Sequence, residues 1–216
     1  MGPDMDDEEF EESAEPEKRM AGSYEIKEGI RIGNREVVFG EDSHNDNPYL
    51  CAFCDSSDFS DTYRECMVGD DYIELMELFA ERIKEQCAKI REEQQKVTVP
   101  RIKITKEMCL PINSRESLVG RVMAVKADIL RPEYRSAEHQ LIYVTGGNGA
   151  LENARGSACF YINLYTGENG RWERSDLQGE VRRECLPDWA VERVIEIRSR
   201  ETAKEQGAQA KKPNVR

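Results

Sequence analysis

Three stretches of the chain hold the residue types that chemistry needs. The densest is "TGGNGALENARG", residues 145–156, with four glycines, two asparagines and one arginine between two apolar runs. A glycine-rich loop binds phosphate when its backbone N–H groups converge and a helix N-terminus, or a Lys-Ser/Thr pair opening a helix, comes next. Here "SACFYINLYT" comes next, which reads as a strand, and the third glycine of a dinucleotide fingerprint is missing. The glycines then supply positive-φ positions in a loop between antiparallel strands. Asn153 and Arg155 stay in view as side chains displayed on a shaped loop, where a rigid scaffold commonly places binding residues.

Cys51-x-x-Cys54 is the second stretch. Joined by Cys66 and Cys87 it has the ligands of a four-thiolate zinc site, or of a mixed one with His44. However, "YLCAFC" is apolar and strand-like, and residues three apart in a strand point to opposite faces. Cys87 falls on an apolar helical stripe, where a thiol behaves as a small hydrophobe. No metal and no cofactor are therefore expected. The third stretch, "GRWERSD", combines Arg171, Trp172 and Arg174. It has two readings: bases stacked and phosphates gripped, or cross-strand ion pairs beside a packed tryptophan. His44 and His139, the chain's two histidines, lie in or beside polar segments, so a Cys–His or Ser–His couple lacks a placed base. No catalytic residue is assigned, and the expectation is a protein that is not an enzyme.

The elements that must position these residues show in the periodicity. "YEIKEGIRIGNREVVF" from Tyr24 clusters β-formers around the hairpin turn Gly33-Asn34, and "YLCAFC" and "TYRECMV" follow as two more strands. Asp70 and Asp71 then cap a helix whose apolar stripe is Tyr72, Met76, Phe79, Ile83, Cys87 and Ile90. Its water face carries Glu74, Glu77, Glu81, Lys84, Glu85, Lys89 and Arg91. After a two-proline connection at 97–115, four β-type runs in "LVGRVMAVKADIL", "QLIYVT", "ACFYINLYT" and "RWERSDLQGEV" predict a small bent sheet or barrel. Pro187 opens a closing amphipathic helix. The fold class is thus α+β: a four-stranded antiparallel sheet with a long helix over 20–96, a linker over 97–115, and a β-rich module with a terminal helix over 116–201.

Charge bounds the partners. The chain has 216 residues and net charge −12; residues 1–19 carry −7, residues 202–216 carry +3, and the body between them −8. Both ends are too polar to recover their ordering entropy by burial and are expected to be disordered. An acidic body disfavours free DNA or RNA; its charge serves solubility by itself, and it also permits attraction to proteins with positive channels. No apolar run approaches the ~18 residues of a membrane span, the acidic start is unlike a signal peptide, and seven cysteines without a secretory signal read as reduced thiols. A cytoplasmic location is expected, with no membrane partner.

Residues 118–189, with "LRPEYR", "TGGNGALENARG", "NLYTG" and "LPDWA", resemble an uncharacterised family carried by conjugative and other mobile elements of Firmicutes, and "DDYIELMELF" is similar to the same proteins. The leader before Met20 is outside that pattern, which makes Met20 a candidate start and 1–19 an extension. The resemblance implies no catalytic or ligand residue. Some proteins of this sort act as anti-CRISPRs, inhibitors of Cas9 in type II-A systems, so the resemblance implies a guide-RNA-loaded Cas9-type nuclease as partner. The residues that would touch it are Glu74, Glu77, Glu81 and Glu85, the loop side chains Asn153 and Arg155, and Arg171, Trp172 and Arg174. Two other expectations stay open: a nucleic-acid-associated accessory protein of conjugation or element maintenance, and a small enzyme acting on a defence nucleotide signal.

Overall fold

A computed structural model describes residues 18–56 and 60–210. Most of the acidic leader, and the last six residues of the polar tail, lie outside the described residues. The chain forms two compact units that divide between Arg91 and Glu92. Among the described residues no helix is long and apolar enough to cross a membrane.

The first unit is a five-stranded antiparallel sheet, β1 (Met20–Ala21), β2 (Tyr24–Ile32), β3 (Arg35–Glu41), β4 (Tyr49–Ser56) and β5 (Asp61–Gly69), in that spatial order, followed by α1 (Tyr72–Gln95). The four strands expected from periodicity are β2 to β5. The fifth, β1, is only two residues long and pairs with Glu25 and Tyr24 around Gly22, whose φ of 65° suits a glycine. A two-residue strand carries no periodic signal. Asp71 caps α1 by accepting from the N–H groups of Ile73 (2.8 Å) and Glu74 (3.2 Å).

The buried stripe of α1 is Leu75, Phe79, Arg82, Gln86 and Ile90, rotated from the expected one, and Tyr72 is exposed. The rotation has a cause. The β4–β5 register shifts between Cys51 and Phe53, freeing backbone carbonyls, and Glu65 takes φ 51° there. Arg82 reaches into that gap, donating to the carbonyl of Cys51 at 3.0 Å and of Glu65 at 2.7 Å, with its guanidinium 5.0 Å from the centre of the Phe53 ring. A buried charge is tolerated because it is hydrogen-bonded and stacked.

Val37, Phe39, Cys51 and Phe53 face α1, while Val38, Leu50, Ala52 and Cys54 face the opposite side, beside Ala21 of β1. Arg19, assigned by charge to the leader, belongs to this unit. It donates two 2.9 Å bonds to Glu36 on β3, one of 2.8 Å to Asp61 on β5 and one of 3.0 Å to Cys54 on β4. The residue before the first strand thereby ties the start of the sheet to its last strand, and the leader boundary moves to before Lys18, which pairs with Glu25. Hydrogen bonding to Arg19, and then to Arg31, holds the Glu36 carboxyl below the usual carboxylate range.

The second unit holds β6 (Cys109–Leu110), β7 (Val122–Val125), α2 (Ala137–Gln140), β8 (Leu141–Gly146), β9 (Ala158–Asn163), β10 (Asn169–Glu173), β11 (Leu177–Val181) and α3 (Asp188–Ala210). The sheet order is β10-β9-β8-β7-β11-β6, antiparallel throughout. There are six strands where four runs were expected, because "RWERSDLQGEV" turns at Arg174–Asp176 into two strands and because β6 precedes Pro111. On one face Val122, Ala124, Leu141 and Tyr143 pack against Ala190, Val194 and Ile197 of α3, with Trp189 partly buried beside them. On the other, Met123, Val125, Ile142 and Val144 lie under Leu118 and Ala150.

Two expected boundaries differ. Residues 97–115 are not a linker: Ile104 and Cys109 are core residues, and β6 is part of the sheet. The tie is Gln140, fully buried, which accepts from the Ile104 N–H at 2.9 Å and donates to the carbonyls of Ile104 and Val125, each at 3.1 Å. Prolines here remove ladder bonds without removing packing. The tail from Thr202, expected without structure, extends α3 to Ala210. Its Ala, Lys, Glu and Gln are strong helix formers, and a packed helix already supplies the costly nucleus.

Gln140→Leu keeps the volume of that side chain but leaves three backbone groups of the core unpaired. The variant is expected to lose about 3 kcal/mol in a urea melt of the second unit; a loss below ~0.5 kcal/mol would show that the 101–104 segment is held by something else.

Candidate functional site

The glycine loop between β8 and β9 is the most built-up feature of the second unit. Gly147 sits at φ 107°, and a Cβ on it would stand 2.2 Å from the Ala158 carbonyl oxygen. A Cβ on Gly149 would stand 2.2 Å from the oxygen of Ser157, and one on Gly156 would strike the Asn148 side chain at 2.3 Å. The glycines therefore serve the close approach of the loop to its own returning strand. The N–H of Gly149 donates to Ala158 at 2.8 Å, that of Asn153 to Ser114 at 2.7 Å, and Asn148 Oδ1 accepts from the Ala158 N–H at 3.2 Å. These N–H groups end on protein acceptors, not on a cradle for phosphate.

One guanidinium fastens the loop from beneath. Arg174 donates to the carbonyls of Gly149 at 2.5 Å, Leu151 at 3.2 Å and Asn113 at 3.1 Å. Its place follows from the tight turn between β10 and β11, where Asp176 accepts from the Glu173 N–H at 3.0 Å and the Arg174 N–H bonds to Ser157 at 2.7 Å. What the loop displays outward is Leu151, Glu152, Asn153 and Arg155, all exposed, with Asn153 at φ 48°, a left-handed conformation that asparagine tolerates.

The remaining candidates separate. Trp172 is half-buried against the inner face and stacks on Tyr161, with ring centres 6.4 Å apart and planes inclined by 11°. The ring is thus occupied within the fold. Arg171 lies on the opposite face, exposed, opposite Phe160 on β9 and paired with Glu173. "GRWERSD" has therefore become an ion pair, a packed tryptophan and a clasp, and does not present three groups to one ligand. In the first unit, Glu74, Glu77, Glu81 and Glu85 form one exposed stripe on α1, and none of them makes an ion pair among the described residues.

Cys51 and Cys54 point to opposite faces of the sheet and cannot share a metal. Burial pushes the thiols of Cys51, Cys109 and Cys159 above their ordinary range, away from the reactive thiolate. His44 is exposed in the turn after β3, beside Asp42. His139 is half-buried against Tyr134 with a ring separation of 4.8 Å, and burial lowers its pKa. Among the described residues no three His, Cys, Asp or Glu side chains converge as metal ligands. The chain matches no protein-family model, no curated protein and no solved structure.

Residue types alone did not reveal the arginine clasps. Arg19, Arg82 and Arg174 look like surface charges in sequence: the acceptors of Arg82 and Arg174 are backbone carbonyls, which every residue carries, and those of Arg19 lie on three different strands.

Gly149→Ala is expected to cost about 2 kcal/mol or more, because the new methyl group meets backbone that cannot yield. Gly146→Ala is its control, since nothing lies within 4 Å of that position; it should stay within ~0.5 kcal/mol of the parent. Equal, small effects in thermal or denaturant melts would contradict the packing described.

Proposed function

We propose that the chain is a non-enzymatic binding protein that acts by occupying a protein partner with a basic surface, and that a guide-RNA-loaded Cas9-type nuclease is that partner. The observation that carries the reading is the unpaired stripe of Glu74, Glu77, Glu81 and Glu85 on α1. Four carboxylates on one rigid face, on a body of net charge −8, are attracted to the positive channel in which such a nuclease holds its heteroduplex. The choice of partner rests on the resemblance of residues 118–189 to a family carried by mobile elements, which must survive host defence. The buried thiols and the separated histidines support a role without turnover.

Full-length chain is expected to bind a type II-A Cas9–guide complex, to reduce its cleavage of target DNA, and to leave bare DNA unbound and uncut. Association should slow as salt rises, and replacing all four glutamates by lysine should slow it about tenfold or more at low salt. Unchanged cleavage by several such complexes at saturating protein rejects the partner. Binding to bare duplex or single strand as tight as to the nuclease replaces this reading by the accessory nucleic-acid role, and turnover of a nucleotide panel replaces it by the enzyme.

A further inference from the structure

The second unit contains a groove whose charge is opposite to that of the chain. It has a volume of about 470 Å³ and lies between one side of α3 and the strands β6, β7 and β11. Its floor is aliphatic: Val122, Val181 and Val194 are all buried. Two apolar side chains on its rim stand in water, Leu110 at 45% exposure and Ile195 at 60%. Around this floor are four arginines, Arg121, Arg182, Arg183 and Arg198, against a single acid, Glu180.

The arginines are not equivalent. Arg121 is neutralised, bonding Glu180 at 2.6 Å and Glu116 at 2.8 Å. Arg198 gives one N–H to the Gly120 carbonyl at 3.0 Å and also meets the Tyr143 hydroxyl, which bonds Glu201 at 3.0 Å. Arg182 and Arg183 are exposed and make no ion pair with any described residue. In a chain of net charge −12 this is a local concentration of free positive charge beside exposed aliphatic surface.

We propose that this groove is a second binding site, for a peptide segment of a partner protein that carries a bulky apolar side chain flanked by aspartates or glutamates. The apolar residue fills the Val122–Val181–Val194 floor between Leu110 and Ile195, and the carboxylates meet the guanidinium forks of Arg182, Arg183 and Arg198. The volume is in the range of ligand sites, but the rim is water-exposed on both sides, so a small molecule would not be enclosed as such ligands usually are. Nucleic acid is disfavoured because the lining contains no aromatic ring on which a base could stack. Arginine is enriched at protein-binding hot spots, and here it borders apolar surface that a protein side chain can cover. The site is independent of the acidic face of α1: it takes the opposite charge and belongs to the other unit.

A random twelve-residue display library selected on the full-length chain tests this, with the best peptides measured by fluorescence anisotropy. Enriched peptides are expected to place at least two acids around a Leu, Ile, Phe or Trp. Arg182→Glu with Arg183→Glu should weaken them tenfold or more, and Ile195→Asp should weaken them with no loss of fold, because all three positions are exposed. Peptides without acids, acidic peptides whose affinity these variants leave unchanged, or no enrichment of any peptide that responds to them each overturn the proposal. Displacement of the peptide by a single-stranded DNA 20-mer at lower concentration reassigns the groove to nucleic acid.

Discussion

A single guanidinium closes one face of the second unit. The sheet residues Met123, Val125, Ile142 and Val144 need a cover, and among the described residues neither α2 nor α3 adds a side chain to their cluster; Leu118 and Ala150, from two irregular segments, lie over them with Ile112 and Leu130 packed alongside. Irregular backbone over a core is costly unless its polar groups are paired. Arg174 pairs three of the carbonyls, and the N–H of Leu118 bonds to Ala150 at 2.7 Å to join the two segments. The glycines let the loop lie flat enough for this to happen. A sequence that looks built to hold a ligand is in fact built to hold itself, and it displays Asn153 and Arg155 as a consequence.

The first unit uses the same device twice. Arg82 satisfies carbonyls freed by the irregular β4–β5 pairing, and Arg19 ties β3, β4 and β5 to the residue before β1. Arginine suits all three places because it offers five donors in a rigid fork and never loses its charge. With these cations committed to the fold, one group of exposed charges stands out in each unit. The first offers the glutamate stripe of α1, and the second the free arginines beside α3.

Much of this architecture was legible in sequence, and the misses share a cause. Strands β2 to β5 showed in their β-branched runs and in Gly33-Asn34, and α1 showed in its period and in the Asp71 cap. The opposed directions of Cys51 and Cys54 followed from strand geometry alone. Strands β1 and β6, two residues each, are shorter than any period. The stripe of α1 was misjudged because Arg82 and Gln86, polar by type, face inward, so counting only apolar residues tilted the axis. Residues 97–115 were read as a connection from their prolines, whereas the bond that anchors them comes from Gln140, 36 positions away from Ile104. At the candidate site, the strand that follows the glycines was enough to argue against a phosphate loop. Arg174 was legible only as a charge near a tryptophan, because nothing in a sequence says which carbonyls a fold will leave unpaired.

The claim that the glycine loop is a self-held structural clasp is tested most directly by native-state hydrogen exchange on the free full-length chain. The amides of Gly149, Ala150 and Asn153 each donate to a protein carbonyl, and they are expected to exchange with the cooperative unit of β8 and β9. In Arg174→Met those three amides should exchange at least ~100-fold faster, while the amides of α1 keep their rates. Exchange of the loop amides in the unaltered chain within ~10-fold of unfolded rates would contradict the account.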